Sequence, residues 1–86
     1  MDLNELFGLH WQRHFASLLG PGDALLLAAS GGLDSTVLAY LLKANRIPFV
    51  LAHMNFGLRG AESIRDEQFV RNLGTELSVE VNVKQV

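Results

Sequence analysis

The feature that most constrains this chain is an interruption. Residues 25–42, LLLAASGGLDSTVLAYLL, pass from one dense apolar stretch to another through two glycines, hydroxyls and an acid. A segment meant only for burial would not carry Ser30, Gly31, Gly32, Asp34 and Ser35 at its centre, because polar groups are costly in a core and an unpaired carboxylate most of all. The first apolar run, 24–29, is short, continuous and ends in glycine, which predicts a buried strand. Beyond the interruption, Val37, Leu38, Leu41 and Leu42 recur at helical spacing as far as Ala44. Asn45 is expected as a left-handed cap, and Pro48 forbids continuation.

The flanks extend the pattern. Asp2 and Glu5 have capping-box spacing, and Leu3, Phe7, Trp11, Phe15 and Leu18 predict a helix over 3–19, stopped by Gly20-Pro21-Gly22-Asp23. Residues 49–52 predict a second buried strand. Residues 53–63 are too polar and glycine-punctuated for a regular element. Residues 62–77 predict a helix with Val70, Leu73 and Leu77 on one face and Glu67 four before Arg71. Val79, Val81 and Val83 alternate as a third strand. Strands alternating with helices predict an α/β fold: an open parallel sheet with flanking helices and right-handed crossovers. Three strands are half of a usual open sheet, so residues 1–86 read as the N-terminal part of a larger catalytic domain. The 24–29 strand is expected to be central, with one unpaired apolar edge. That edge predicts marginal stability or self-association, hence a homo-oligomer.

Composition narrows the chemistry. The 86 residues carry a formal charge of −2, so they hold no electrostatic footprint for nucleic acid. Cysteine is absent, which removes disulfides, thiolate metal sites and thiol nucleophiles from this segment. The opening MDLNELFG has no basic region before an apolar run, and the uncharged stretches fall short of the ~18 apolar residues of a membrane span. The chain reads as cytoplasmic, without a membrane partner. His10 and His14 have the spacing that can share a metal, but no third ligand accompanies them and Trp11 fits the apolar face as packing.

The interruption lies where open α/β sheets bind ligands, beyond the carboxyl end of a strand. Gly31 and Gly32 can take positive φ and admit a ligand close to the backbone. Loop and helix-start N–H groups then converge on one place and attract phosphate, with Ser30 and Ser35 adding hydroxyls. Asp34 repels phosphate unless a divalent cation stands between them, so it reads as a ligand for Mg²⁺. The alternative is a tight turn with Asp34 as a helix cap. Neither a Walker lysine nor a G-x-G-x-x-G fingerprint is present. The second strip, His53-Met54-Asn55-Phe56-Gly57-Leu58-Arg59-Gly60-Ala61-Glu62-Ser63, brings a proton-exchanging imidazole, a donor–acceptor amide and a guanidinium to the same crevice edge.

The first motif, Ser30-Gly31-Gly32-Leu33-Asp34-Ser35 after an apolar strand, resembles the pyrophosphate-binding loop of the PP-loop ATPases, which split ATP between its α and β phosphates. The second strip resembles the H-x-[ND]-H-x-L-R-x-x-[ES]-S pattern of the tRNA(Ile)-lysidine synthetase family, with Phe56 where that pattern often has histidine. The resemblance implies ATP and Mg²⁺, with tRNA(Ile) and free lysine as substrates. It implies an ATP-dependent ligase that adenylates the wobble cytidine and then attaches lysine. Ser30, Gly31, Gly32, Asp34 and Ser35 match the ATP loop, with Leu33 contributing backbone while its side chain packs. Asp34 is also assigned to Mg²⁺; His53, Asn55 and Arg59 match the second catalytic strip. Two alternatives stay open: another PP-loop pyrophosphatase (an amidotransferase or tRNA thiolase), or a non-catalytic nucleotide-binding module.

Overall fold

The computed structural model describes residues 1–57 and 60–85. They form α1 (Leu3–His14), a short 3₁₀ turn (Ala16–Leu18), β1 (Leu25–Ala28), α2 (Leu33–Ala44), β2 (Phe49–Asn55), α3 (Ala61–Leu77) and β3 (Val81–Gln85). Asp2 accepts the Glu5 N–H at 2.7 Å and so starts α1 as its spacing predicts. Trp11 lies between Phe7 and Phe15, with ring centroids 6.5 and 5.9 Å away, and packs against the core. The α-helix ends at His14, short of the predicted Leu19, because the chain tightens into the 3₁₀ turn. Gly22, at φ 84° just after Pro21, then supplies the left-handed residue of a type II turn.

The strands are parallel, in the order β1-β2-β3. Leu25 stands opposite Phe49 and Ala28 opposite Ala52; Leu51 stands opposite Val81 and Asn55 opposite Gln85. Right-handed crossovers in this order carry α2 and α3 to the same face. The alternation on β2 agrees: Phe49, Leu51 and His53 are buried, whereas Val50, Ala52 and Met54 are more exposed. Ala39 and Leu42 of α2 and Val70, Leu73 and Leu77 of α3 complete that one-sided core.

Several expectations are corrected here. β1 has one unpaired edge among the described residues, as expected, but it is not buried on both faces: Leu26 is 70% exposed on the face that no described helix covers. β2 continues through His53, Met54 and Asn55, which polarity had marked as loop, because Met54 and Asn55 pair with Lys84 and Gln85. Asn45 keeps a right-handed backbone and Arg46, at φ 58°, takes the left-handed position. Ile47 N–H bonds to Leu42 O at 3.0 Å and Arg46 N–H to Lys43 O at 3.1 Å, a Schellman closure one residue later than predicted. The Asn45 side chain is engaged elsewhere, donating to Leu41 O and to Asn4 Oδ1 of α1, both at 2.9 Å.

Candidate functional site

The carboxyl ends of β1 and β2 and the first turns of α3 enclose a cleft of about 410 Å³. Ala29 N–H still bonds to Ala52 O at 2.8 Å, so the ladder holds for one residue beyond β1 before the chain turns. Ser30 Oγ then accepts the Gly32 N–H at 3.2 Å, and Gly31 sits at φ 86°. Glycine is required there twice over. Besides the left-handed backbone, a Cβ on Gly31 would lie 3.2 Å from Asp66 Cβ and 3.3 Å from Asp66 Cα. Gly32, by contrast, is extended and serves as the N-cap position of α2.

α2 starts with Thr36 N–H bonding to Gly32 O at 3.2 Å. The N–H groups of Leu33, Asp34 and Ser35 therefore have no helical acceptor and form the donor face of the loop. The Ser35 and Thr36 hydroxyls both donate to Gly32 O, at 3.2 and 2.8 Å, and stiffen this corner. Asp34 is exposed in the first turn and does not cap the helix. The expected packing of Leu33 is corrected: as the first residue of α2 it points outward and is 78% exposed.

His53 is 7% exposed, and its Nδ1 lies 2.7 Å from Ala29 O. A carbonyl only accepts, so Nδ1 carries the proton and Nε2 is the nitrogen left for other partners. The bond ties the end of β2 to the root of the glycine loop on β1. Asn55 is held on both sides of its amide: Oδ1 accepts the Gly57 N–H at 2.9 Å, and Nδ2 donates to Glu67 Oε1 at 3.0 Å. Glu67 also accepts from Gln85 Nε2 and Arg71 Nε, each at 3.2 Å. The hydrogen bonds from Asn55, Gln85 and Arg71 hold the Glu67 carboxyl below the ordinary carboxylate range, against the opposing effect of desolvation.

Of the residues singled out from sequence, Ser30, His53 and Asn55 line the cleft, and Gly31 abuts its wall at Asp66. Leu33, Asp34 and Ser35 do not line it; they form the first turn of α2. Arg59 falls outside the described residues. Met54, Phe56 and Ser63 of the second strip also line the cleft, as does Asp66, to which the sequence reading gave no place there. Ser63 and Asp66 arrive because α3 starts against the loop. Their three-residue spacing on a helix could have flagged a shared face. Among the described residues no group of three His, Cys, Asp or Glu side chains gathers to hold a metal, and no helix is long and apolar enough to cross a membrane. The site nevertheless suits a phosphate with Mg²⁺: unpaired N–H donors, a glycine cradle that a Cβ would fill, and one exposed carboxylate. Mg²⁺ commonly takes one or two protein carboxylates, completed by water and phosphate oxygens.

Residues 8–86 match the PP-loop domain family. The chain is 44% identical over 63 residues to the tRNA(Ile)-lysidine synthase of Bacteroides thetaiotaomicron, covering 73% of this chain and 15% of that protein. It is 42% identical over 78 residues to the tRNA(Ile)-lysidine synthase of Chlorobaculum tepidum, covering 84% of this chain and 23% of that protein. The corresponding protein of Persephonella marina is 41% identical over 75 residues, covering 81% of this chain and 16% of the relative. The matched part thus spans between 15% and 23% of these relatives' lengths.

Proposed function

Because the chain belongs to the PP-loop domain family, we propose that it is the ATP-binding part of a ligase of the tRNA(Ile)-lysidine synthase type, with residues 1–86 forming the first part of the catalytic domain. The observation that carries this reading is the meeting of two strips at one cleft: Ser30 at the head of the 30–35 loop, whose Gly31 packs tightly against Asp66, and the strand end at 53–55. In the proposed reaction the C2 carbonyl oxygen of the wobble cytidine of tRNA(Ile) attacks the α-phosphorus of ATP, and pyrophosphate leaves. The side-chain amine of free lysine then attacks C2, AMP departs, and lysidine is formed.

The residues divide this work by chemistry. Ser30, Gly31, Gly32, Leu33 and Ser35 form the phosphate cradle. The Ser30 hydroxyl and the Gly31, Leu33 and Ser35 N–H groups are the donors, while the Gly32 N–H and the Ser35 hydroxyl brace the corner. Together they make a fixed set of dipoles that needs little reorganisation as charge develops. Asp34 would hold Mg²⁺, directly or through water. When bound, the ion offsets the charge that builds on the pyrophosphate leaving group. His53 anchors the loop through Ala29 O and leaves Nε2 free to accept a hydrogen bond in the cleft. Asn55 shapes the second strip, and Arg59 is assigned to negative charge on the reactants. Positioning the cytidine in line with the α-phosphorus is the remaining task.

The test is an assay of the full-length enzyme carrying this segment, with tRNA(Ile), labelled ATP, lysine and Mg²⁺. Lysine incorporation and pyrophosphate release are expected, both falling about a hundredfold or more in Asp34→Ala. ATP binding without pyrophosphate release, with every substrate present, would replace this reading by that of a passive nucleotide module.

A further inference from the structure

We propose that Glu67 is a positioning residue that acts through Asn55 to set Phe56 as a wall of the cleft, against which the flat face of a nucleobase packs. Asn55 has little left to offer a ligand. Its Oδ1 accepts from Gly57 at 2.9 Å, and its Nδ2 donates to Glu67 at 3.0 Å with Ser63 O a further 3.5 Å contact. The amide head is thus engaged at both ends within the protein. Its bond to Gly57 closes a turn that spans one residue, and that residue is Phe56. The ring is 52% exposed and lines the cleft beside Met54. A half-exposed aromatic at the mouth of a mostly apolar cleft offers a face for stacking.

Glu67 is built to hold this arrangement. It sits on the second turn of α3 with its side chain 16% exposed, and it accepts hydrogen bonds from three different elements: Asn55 of β2, Gln85 of β3 and Arg71 of its own helix. Asn55 and Gln85 are register partners on adjacent strands, so one carboxylate fixes the polar ends of both. Glu67 does not line the cleft, and any effect it has on a ligand passes through Asn55 and Phe56. This inference deepens the functional reading above and rests on it for the nature of the ligand; the turn itself can be read without a ligand.

The test inverts the pair. In Asn55→Asp two carboxylates face each other and the turn is pushed out of place; in the double variant N55D/E67Q a donor and an acceptor face each other again, with their roles exchanged. Binding of Mg·ATP and of Mg·tripolyphosphate, which lacks the base, is measured by calorimetry on the full-length enzyme carrying this segment, with the Gly57 amide resonance followed by NMR. N55D is expected to weaken Mg·ATP about tenfold while changing Mg·tripolyphosphate by less than about twofold, as loss of one base contact requires. N55D/E67Q is expected to restore both the affinity and the Gly57 resonance. Equal weakening of the two ligands, or a double variant that recovers neither signal, would overturn the proposal. A wild-type chain that binds neither ligand would instead sink the nucleotide reading. The Gly57 resonance would still decide the pair, since an unchanged signal in N55D refutes the positioning role.

Discussion

Gly31 and Gly22 allow the strain of the phosphate loop to be separated into backbone and packing parts. They share nearly the same φ, 86° and 84°, but nothing lies within 4 Å of a Cβ at Gly22, whereas at Gly31 the Cβ meets Asp66 Cβ at 3.2 Å and Cα at 3.3 Å. Alanine at either position costs about 1–2 kcal/mol for the left-handed backbone, partly offset by about 0.4–1 kcal/mol from the stiffer unfolded chain. Only Gly31→Ala adds overpacking. The obstacle is helix backbone rather than a flexible side-chain tip, so about 1–3 kcal/mol more is expected. Net losses of about 1 kcal/mol for Gly22→Ala and about 2–3 kcal/mol for Gly31→Ala follow, the second a large share of a small domain's stability. Urea unfolding of the two variants and the wild type, monitored by circular dichroism at matched m-values, measures the difference. Equal losses at the two glycines would refute the contact between the loop and α3, and with it the account of why the loop has no side chain at that point.

Two further outcomes are expected. Gly74→Ala places a methyl group inside the van der Waals envelope of Val81 Cγ2 and 3.1 Å from Val79 O, so it should destabilise by about 1–3 kcal/mol despite the helix propensity gained. Val81→Ala in the same chain should recover part of that loss in a double-mutant cycle on unfolding free energies. For Glu67 the hydrogen bonds from Asn55, Gln85 and Arg71 lower the folded pKa, so its contribution is present above the unfolded value near about 4.3 and is lost as pH falls through the lowered folded value. The stability difference between wild type and Glu67→Gln should therefore be constant near neutrality and shrink in acid. A gap that stays constant down to strongly acidic pH would remove the charge from the explanation.

Much of this architecture is legible in the sequence because periodicity reports burial. Val70, Leu73 and Leu77, spaced for one helix face, are all buried, and Glu67 and Arg71 pair as their spacing suggests, at 3.2 Å. Periodicity fails where a strand ends in a site. His53, Met54 and Asn55 read as loop because the 53–63 stretch is polar and glycine-punctuated as a whole, yet the ladder continues through them, since side chains facing a cleft escape the apolar pattern while the backbone goes on pairing. It also fails at Leu26 and Leu33, exposed by 70% and 78%, because an apolar residue does not declare whether a covering layer exists. Asp66 and Glu67 come to the site through the approach of α3 to the glycine loop, a tertiary contact that no local pattern encodes. Asn45 illustrates a third limit. Its left-handed propensity is overridden by an amide contact to Asn4 at 2.9 Å, formed 41 residues away along the chain.

The bond from His53 Nδ1 to Ala29 O has a consequence for how this fold tolerates change. The mouth of the cleft is gauged between two adjacent strands, whose spacing of about 4.8 Å is among the least adjustable dimensions in a protein. Helices that drift by a fraction of an ångström as their core side chains are exchanged leave that gauge untouched. A slip of one residue between β1 and β2 would not, because it turns His53 to the opposite face and releases the loop in the same movement. Substitutions can therefore accumulate at core positions such as Leu42, Leu73 and Leu77 at a cost counted in stability, while the ladder from Leu25 to Ala29 is where they would be counted in function.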